Sequence, residues 1–254
     1  MKIVLLGSGN VATNLAKALK ANGENVMQVY SPNLDHAKSL ADLIGTVGIN
    51  DLTELEQQAD LYVISVKDDA IESVAKSLKH ITGLVVHTSG TTDIGILSSQ
   101  VQHAGVFYPL QTFSKDREVL FENVPLCIEA NGENQLMILK NLAAKMSREV
   151  YELNGEKRKV LHLAAVFACN FPNHLYALAN TILGQNELDF EIIRPLIAET
   201  ANKVMSNLPG DVQTGPAIRA DESTLNRHLS MLTDMPELQN IYQTLSNSIK
   251  LTLK

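Results

Sequence analysis

The chain has 254 residues, 45% apolar and 19% charged, with a formal net charge of −7. That length suits one or two globular domains with a sizeable core, and no long Gly/Pro/Ser tract interrupts it, which excludes extended disorder. No basic run or stripe marks a nucleic-acid partner, and no apolar run is long enough to cross a bilayer.

Read in chain order, the first half alternates strand and helix signals. "KIVLLG" (2–7) is a short continuous apolar run, the pattern of a strand buried on both faces of a parallel sheet. A helix pattern follows to Gly23, then a second strand at 24–30. A second helix starts after Asn33, a plausible N-cap. A short third strand is expected at 45–49, and Asp51 to Glu54 has capping-box spacing. Strands at 59–66 and 83–90 flank another helix. Three further strand candidates lie near 104–113, 124–130 and 148–153, with a helix near 133–146 between the last two. From about 156 onward the periodic segments are helical: 156–184, 188–207, 221–232 and 236–252. This order predicts an α/β doubly wound parallel sheet with extra strands, followed by an all-α second domain. The expected domains are 1–154 and 155–254.

The turn after the first strand, "GSGNVA", places Gly7, Gly9 and Ala12 in G-x-G-x-x-A spacing. Gly7 permits the tight turn, Gly9 lets backbone approach a pyrophosphate, and Ala12 allows close helix–strand packing. The N–H groups at the helix start favour an anion. In this strand–turn–helix context the motif predicts a Rossmann-type dinucleotide site. Ser8, Asn10 and Val11 belong to the same turn. At the end of the second strand, "VYSPN" carries Tyr30, Ser31 and Asn33 and no carboxylate. A 2′-phosphate would therefore not be repelled there, and Ser31 and Asn33 could donate to it, with Lys38 nearby. NADP is expected as cofactor, with NAD the weaker alternative. The loops after the fourth and fifth strands, with Ser65, Val66, Lys67 and Thr88, Ser89, Gly90, should face the same ligand.

The two cysteines, Cys127 and Cys169, lie far apart and show no metal-ligand spacing, and no histidine pair has helical ligand spacing with a third ligand nearby. No metal site is expected. Reduced thiols suit a cytoplasmic protein.

The stretches "GSGNVATNLAKAL" (7–19), "SVKDDAI" (65–71), "VVHTSG" (85–90), "YPLQTFS" (108–114), "HLAAVFACNFPNHL" (162–175) and "TGPAIRAD" (214–221) together resemble a bacterial group of oxidoreductases. That group joins a Rossmann-like domain to a C-terminal helical domain of unknown function. It lies within the superfamily of 6-phosphogluconate dehydrogenase, pyrroline-5-carboxylate reductase, ketopantoate reductase and prephenate dehydrogenase. The resemblance implies NADP-linked redox chemistry on a small-molecule substrate, and a homodimer formed through the helical domain. One departure stands out: the group resembles His-Pro where this chain has Tyr108-Pro109, so a histidine role does not carry over. Tyr108 could still supply a hydroxyl, and Gln111 lies in the same stretch as a candidate substrate contact.

"HLAAVFACNF" (162–171) reads as an apolar helix with stray polar groups. At about 100° per residue, Lys159, His162, Val166, Asn170 and Asn173 share one narrow sector. Pro172 would remove one backbone hydrogen bond and kink this helix. Prephenate dehydrogenases are similar in carrying a histidine near the start of the corresponding helix; His162 matches it, and Asn170 replaces a second histidine. His162 is thus the candidate general acid/base, since imidazole titrates near neutrality. Asn170 is the candidate orienting donor, and Asn173 a candidate substrate contact. Arg219 could clamp a substrate carboxylate, whereas Asp221 could cap a helix.

Two functions from different classes compete. One is an NADP-dependent oxidoreductase moving a hydride between nicotinamide and a small carbonyl, imine or hydroxy acid. The other is a non-catalytic nucleotide-binding sensor or interaction protein with the same fold.

Overall fold

The computed structural model describes residues 1–251. Eight strands form one sheet: β1 (Lys2–Leu6), β2 (Asn25–Tyr30), β3 (Val47–Ile49), β4 (Leu61–Ile64), β5 (Leu84–His87), β6 (Ala104–Pro109), β7 (Leu126–Ala130) and β8 (Val150–Glu152). Their spatial order is β3-β2-β1-β4-β5-β6-β7-β8. The helices that connect them are α1 (Asn10–Ala21), α2 (Leu34–Ile44), α3 (Ile71–Ser77), α4 (Gly95–Ser98) and α5 (Glu133–Met146).

The continuous apolar run of β1 explains the layering. Successive side chains of a strand point to opposite faces. Ile3 and Leu5 enter one core with Leu15 and Leu19 of α1 and Leu139 and Leu142 of α5. Val4 and Leu6 enter the other with Ile71 and Val74 of α3 and Leu97 of α4. A strand sandwiched this way has no polar face to display, so no alternation shows in its sequence.

The sheet is parallel from β3 to β6 and departs at β7, which pairs antiparallel with β6. The reason is the connection: residues 110–125 hold only a short 3₁₀ turn at Phe121–Asn123 and supply no helical crossover, and a parallel return needs one. The helix α5 then makes such a crossover, and β8 runs parallel to β7. The expected strand over 104–113 stops at Pro109, where Leu110 N–H turns to the carbonyl of Pro125. The capping box foreseen at Asp51 to Glu54 is a single 3₁₀ turn in which Asp51 accepts from Thr53 N–H.

Helical structure dominates from α6 (Gly155–Ala165) onward, through a π-helical segment at Val166–Asn170, α7 (Phe171–Gly184), α8 (Arg194–Ser206), α9 (Glu222–Met231) and α10 (Pro236–Leu251). Residue 252 of the last predicted helix lies outside the described residues. The contacts divide the chain into two compact units, Met1–Cys169 and Asn170 onward. The division falls fifteen residues beyond the expected boundary at 154/155 because α6 is tied into the first unit. Arg158, 1% exposed, pairs with Glu129 of β7 and donates to the carbonyl of Thr92. Gly155 N–H also reaches Glu129 Oε1, at 3.2 Å.

In the second unit, Asp189 and Asp221 cap their helical segments by accepting backbone N–H groups. Between α9 and α10, His228 Nδ1 lies 2.7 Å from the Tyr242 hydroxyl, and Lys250 pairs with Glu222 at 2.6 Å. Among the described residues, no helix is long and apolar enough to cross a membrane.

Candidate functional site

The glycine turn sits at the carboxyl end of β1, where the strand order reverses between β1 and β4. Such switch points are where open α/β sheets bind ligands. Gly7 has φ +132°, and a Cβ there would lie 2.1 Å from the carbonyl oxygen of Ser65. Only glycine fits. Gly9 caps α1 with no side-chain hydrogen bond, and a Cβ built on it meets nothing within 4 Å. The turn thus leaves open space directly over unpaired N–H groups of a 12-residue helix, which is what a pyrophosphate requires. Ala12 is fully buried. It does not face the opening; it lets α1 pack closely on the sheet.

A cavity of about 800 Å³ runs from this turn along the ends of the strands, well within the size range of cofactor and ligand sites. Its wall includes Gly7, Ser8, Gly9, Asn10 and Val11 from the turn, Tyr30 and Ser31 after β2, and Ser65, Val66 and Lys67 after β4. Thr88, Ser89 and Gly90 after β5, Tyr108 and Gln111 around the end of β6, and His162 of α6 complete it. Ser8 donates its hydroxyl to Ser31 at 3.0 Å. Asn33 is not part of the wall: its side-chain oxygen accepts from the N–H groups of Asp35 and His36 and caps α2. Lys38 is likewise absent from it. Among the described residues, Lys67 and Asp68 are the lysine and the carboxylate that face the opening.

Asp68, Leu52, Ser73 and Val74 line the cavity without having been singled out in the sequence. Asp68 follows Lys67 directly and was readable as part of that loop. Leu52 arrives on the turn after β3 and has no local signal. Asp68 accepts from the Thr91 hydroxyl, which braces the loop after β4 against the one after β5. Thr88 adds a second brace, donating to Ser65 Oγ at 3.1 Å.

Beneath the second loop His87 is fully buried. Burial, and then the positive charge of Arg158, pushes its imidazole down to about 4. The ring is therefore neutral near pH 7. Its Nδ1 accepts from Ser89 N–H at 3.2 Å, so the proton sits on Nε2, which is buried with no protein partner.

At the far end, Tyr108 and His162 meet. The phenol oxygen lies 3.0 Å from His162 Nδ1, and the rings are edge-to-face with centroids 6.1 Å apart. Gly90 forms the floor: a Cβ there would come within 2.7 Å of His162 Nδ1 and 2.9 Å of Tyr108 Cζ. Tyr108 is 9% exposed, and burial, reinforced by Cys127, pushes its hydroxyl up to about 12. His162 is aimed by its own helix. Arg158 lies four residues earlier on the same helical face, and its buried pairing with Glu129 turns that face toward the sheet. Arg158 is not among the residues that the sequence singles out, because its partner Glu129 lies 29 residues away in the chain.

The uniform helical step expected over 159–174 is not kept. Val166–Asn170 is π-helical and ends two residues before Pro172, which cannot donate the N–H that an α-turn would ask of it. The extra residue shifts the phase of everything after it, so the polar stripe read from an even step does not hold. Asn170 and Asn173 belong to the second unit and are exposed. Arg219 is exposed on the segment preceding α9, which Asp221 caps. None of the three belongs to the wall of this cavity.

Residues 2–89 match the family described as NADP oxidoreductase coenzyme F420-dependent, and residues 124–249 match the domain of unknown function DUF2520. A Bacteroides fragilis protein described as a candidate NADP oxidoreductase is 46% identical over 98% of this chain and 97% of its own, with a TM-score of 0.94. A Thermotoga maritima protein is 23% identical, with 99% and 98% covered and a TM-score of 0.74. The 1-pyrroline-5-carboxylate reductase of Streptococcus pyogenes shares the fold at 14% identity, with 98% of both chains covered and a TM-score of 0.67. A glutamyl-tRNA reductase of Idiomarina loihiensis is 27% identical over 146 residues, 54% of this chain but only 34% of that one.

Proposed function

The chain belongs to the family that joins an NADP oxidoreductase coenzyme F420-dependent domain to a DUF2520 domain, and on that footing we propose that it is an NADP-dependent oxidoreductase acting on a small carbonyl, imine or hydroxy acid. One observation carries this reading: a single cavity joins the glycine turn at Gly7–Gly9 to the proton-bearing pair Tyr108–His162. A bound nicotinamide would supply or accept the hydride. The chain's own part is to hold the pyrophosphate on the start of α1, to screen the reacting ring from water, and to exchange a proton at Tyr108 and His162. Asn170 stands as the candidate orienting donor, and Asn173 and Arg219 as candidate substrate contacts, all three within the second unit.

NADP is favoured over NAD because no carboxylate stands at the tip of β2, where Ser8 and Ser31 present hydroxyls. Lys67 adds the positive charge that neither hydroxyl provides. A homodimer through the helical part is supported by large apolar side chains left in solvent there: Ile192 65%, Leu196 66%, Leu208 72% and Met205 84% exposed. Exposed apolar groups at this density mark interaction surfaces.

The test is a pair of dissociation constants, for NADPH and NADH, followed by NADPH oxidation against a panel of cyclic imines and 2-oxo acids. Tighter NADPH binding and turnover lost on His162→Gln are expected. Binding of neither nucleotide would reject the reading, and binding without turnover across the panel would favour the sensor. Sedimentation equilibrium at micromolar protein checks the dimer.

A further inference from the structure

Tyr108 and His162 are the titratable rings at the far end of the cavity from Tyr30, and they are hydrogen-bonded to each other. A phenol can serve an imidazole in both of its states. It donates to Nδ1 when the ring is neutral, and accepts from Nδ1–H when the ring is protonated, leaving its own hydrogen free to point elsewhere. In the second state the pair offers an outward O–H backed by a proton in reserve.

We propose that Tyr108 and His162 form one proton-carrying unit whose protonation is tied to the charge of the nicotinamide in the same cavity, protonated beside the reduced ring and neutral beside the oxidised one. The proposal rests on the nucleotide-binding reading above.

Three features carry it. The first is geometry: the 3.0 Å contact and the Gly90 floor hold both rings against the loop after β5. The second is that the buried phenol resists becoming an anion, its hydroxyl standing at about 12. It therefore passes a proton on only if another replaces it at once, and His162 Nδ1 is the atom placed to do so.

The third is the charge environment. Arg158 is spent on Glu129, and Lys159 of the same helix faces Asp93 at 3.8 Å. His87 on β5 is neutral near pH 7, and Cys127 on β7 stays a thiol, pushed up to about 11 by burial. Lys67 and Asp68, of opposite sign, are exposed at the cavity mouth. Among the described residues no carboxylate is hydrogen-bonded to either ring, so a second positive charge arriving nearby is opposed by the imidazolium directly.

The chemistry balances. As a substrate carbonyl carbon gains a hydride, its oxygen takes the phenolic hydrogen of Tyr108 and the Nδ1 proton of His162 moves to the phenol oxygen. Tyr108 ends as a neutral phenol and His162 as a neutral imidazole. One positive charge leaves the imidazole while one appears on the nicotinamide, so the net charge of the site does not change.

The experiment needs no substrate. Dissociation constants for NADP+ and NADPH are measured on the full chain over about pH 5.5 to 8, spanning the imidazole range. The 2′-phosphate titrates alike in both nucleotides, so their ratio isolates the charge of the ring. The ratio of the NADP+ constant to the NADPH constant should fall as pH rises, approaching tenfold per unit on the acid side and levelling above. His162→Gln should flatten it. Tyr108→Phe should keep a dependence but move its midpoint, since the Nδ1 proton has lost its partner. NADPH binding at the alkaline end reports that both variants are folded. A ratio independent of pH in the unaltered protein, a dependence that survives His162→Gln, or an unmoved midpoint in Tyr108→Phe overturns the proposal. If neither nucleotide binds at any pH, the nucleotide-binding reading itself falls, and this proposal with it.

Discussion

The two ends of the cavity are built in opposite ways. At the glycine turn, backbone makes the site: five consecutive residues, two of them glycine, form the opening without a side-chain cap. At the Tyr108–His162 end, side chains make it, and they come from segments 54 residues apart, with Gly90 from a third. The first end can be damaged only by changing local backbone. The second can be damaged from a distance, through whatever aims α6. A local turn is robust and legible; an assembled corner is tunable and hidden.

The largest effect should come from the distant anchor. Arg158→Met strands Glu129, and losing one partner of a buried pair costs roughly 3–5 kcal/mol. Urea unfolding measures this, and Arg158→Met combined with Glu129→Gln should recover part of it. No recovery would show that Arg158 acts through packing alone.

Next is the turn itself. Gly7→Ala places a methyl against the Ser65 carbonyl in a backbone region that suits glycine, a strain of roughly 3 kcal/mol that should lower the unfolding midpoint in urea and, by displacing the turn, weaken NADPH binding as well. Gly9→Ala is the contrast. Its methyl enters open space, so the unfolding midpoint should hold while nucleotide affinity drops about tenfold. Equal losses of stability in both variants would refute this division of roles.

The pH dependence of stability comes from His87. Its imidazole is lowered to about 4 in the fold, while the unfolded chain takes up a proton near 6.5. Stability should therefore be full above about pH 6.5, fall as pH drops, and level off near 4, a loss of about 3 kcal/mol in all. His87→Gln should flatten that share of the slope between pH 7 and 5 in urea titrations. An unchanged slope would mean His87 is solvated in the fold.

The smallest expected effect tests cofactor choice. Ser31→Asp puts a carboxylate at the tip of β2 and should shift the NADPH-to-NADH affinity ratio toward NADH by about tenfold. No shift would mean that Ser31 does not contact the 2′ position.

The sheet was legible to a useful depth. Buried strands announced themselves as short apolar runs, and the helices by their period, because both patterns are local consequences of burial. What escaped was relational. The antiparallel turn of β7 depended on whether residues 110–125 would cross the sheet, which no period encodes. The polar stripe over 159–174 assumed an even helical step, and one π segment ahead of Pro172 undid it. Asn33 suits two roles by its sequence position, and its backbone acceptor duty is the one observed.

By itself the sequence determined the alternating α/β order, the glycine turn and the helical second half, because each rests on residues within a few positions of one another. Only the tertiary structure decided that Tyr108 and His162 would share a hydrogen bond over Gly90, and that Arg158 would be buried to aim His162. Those facts depend on which distant surfaces pack together, and packing is set by the whole core rather than by any one stretch.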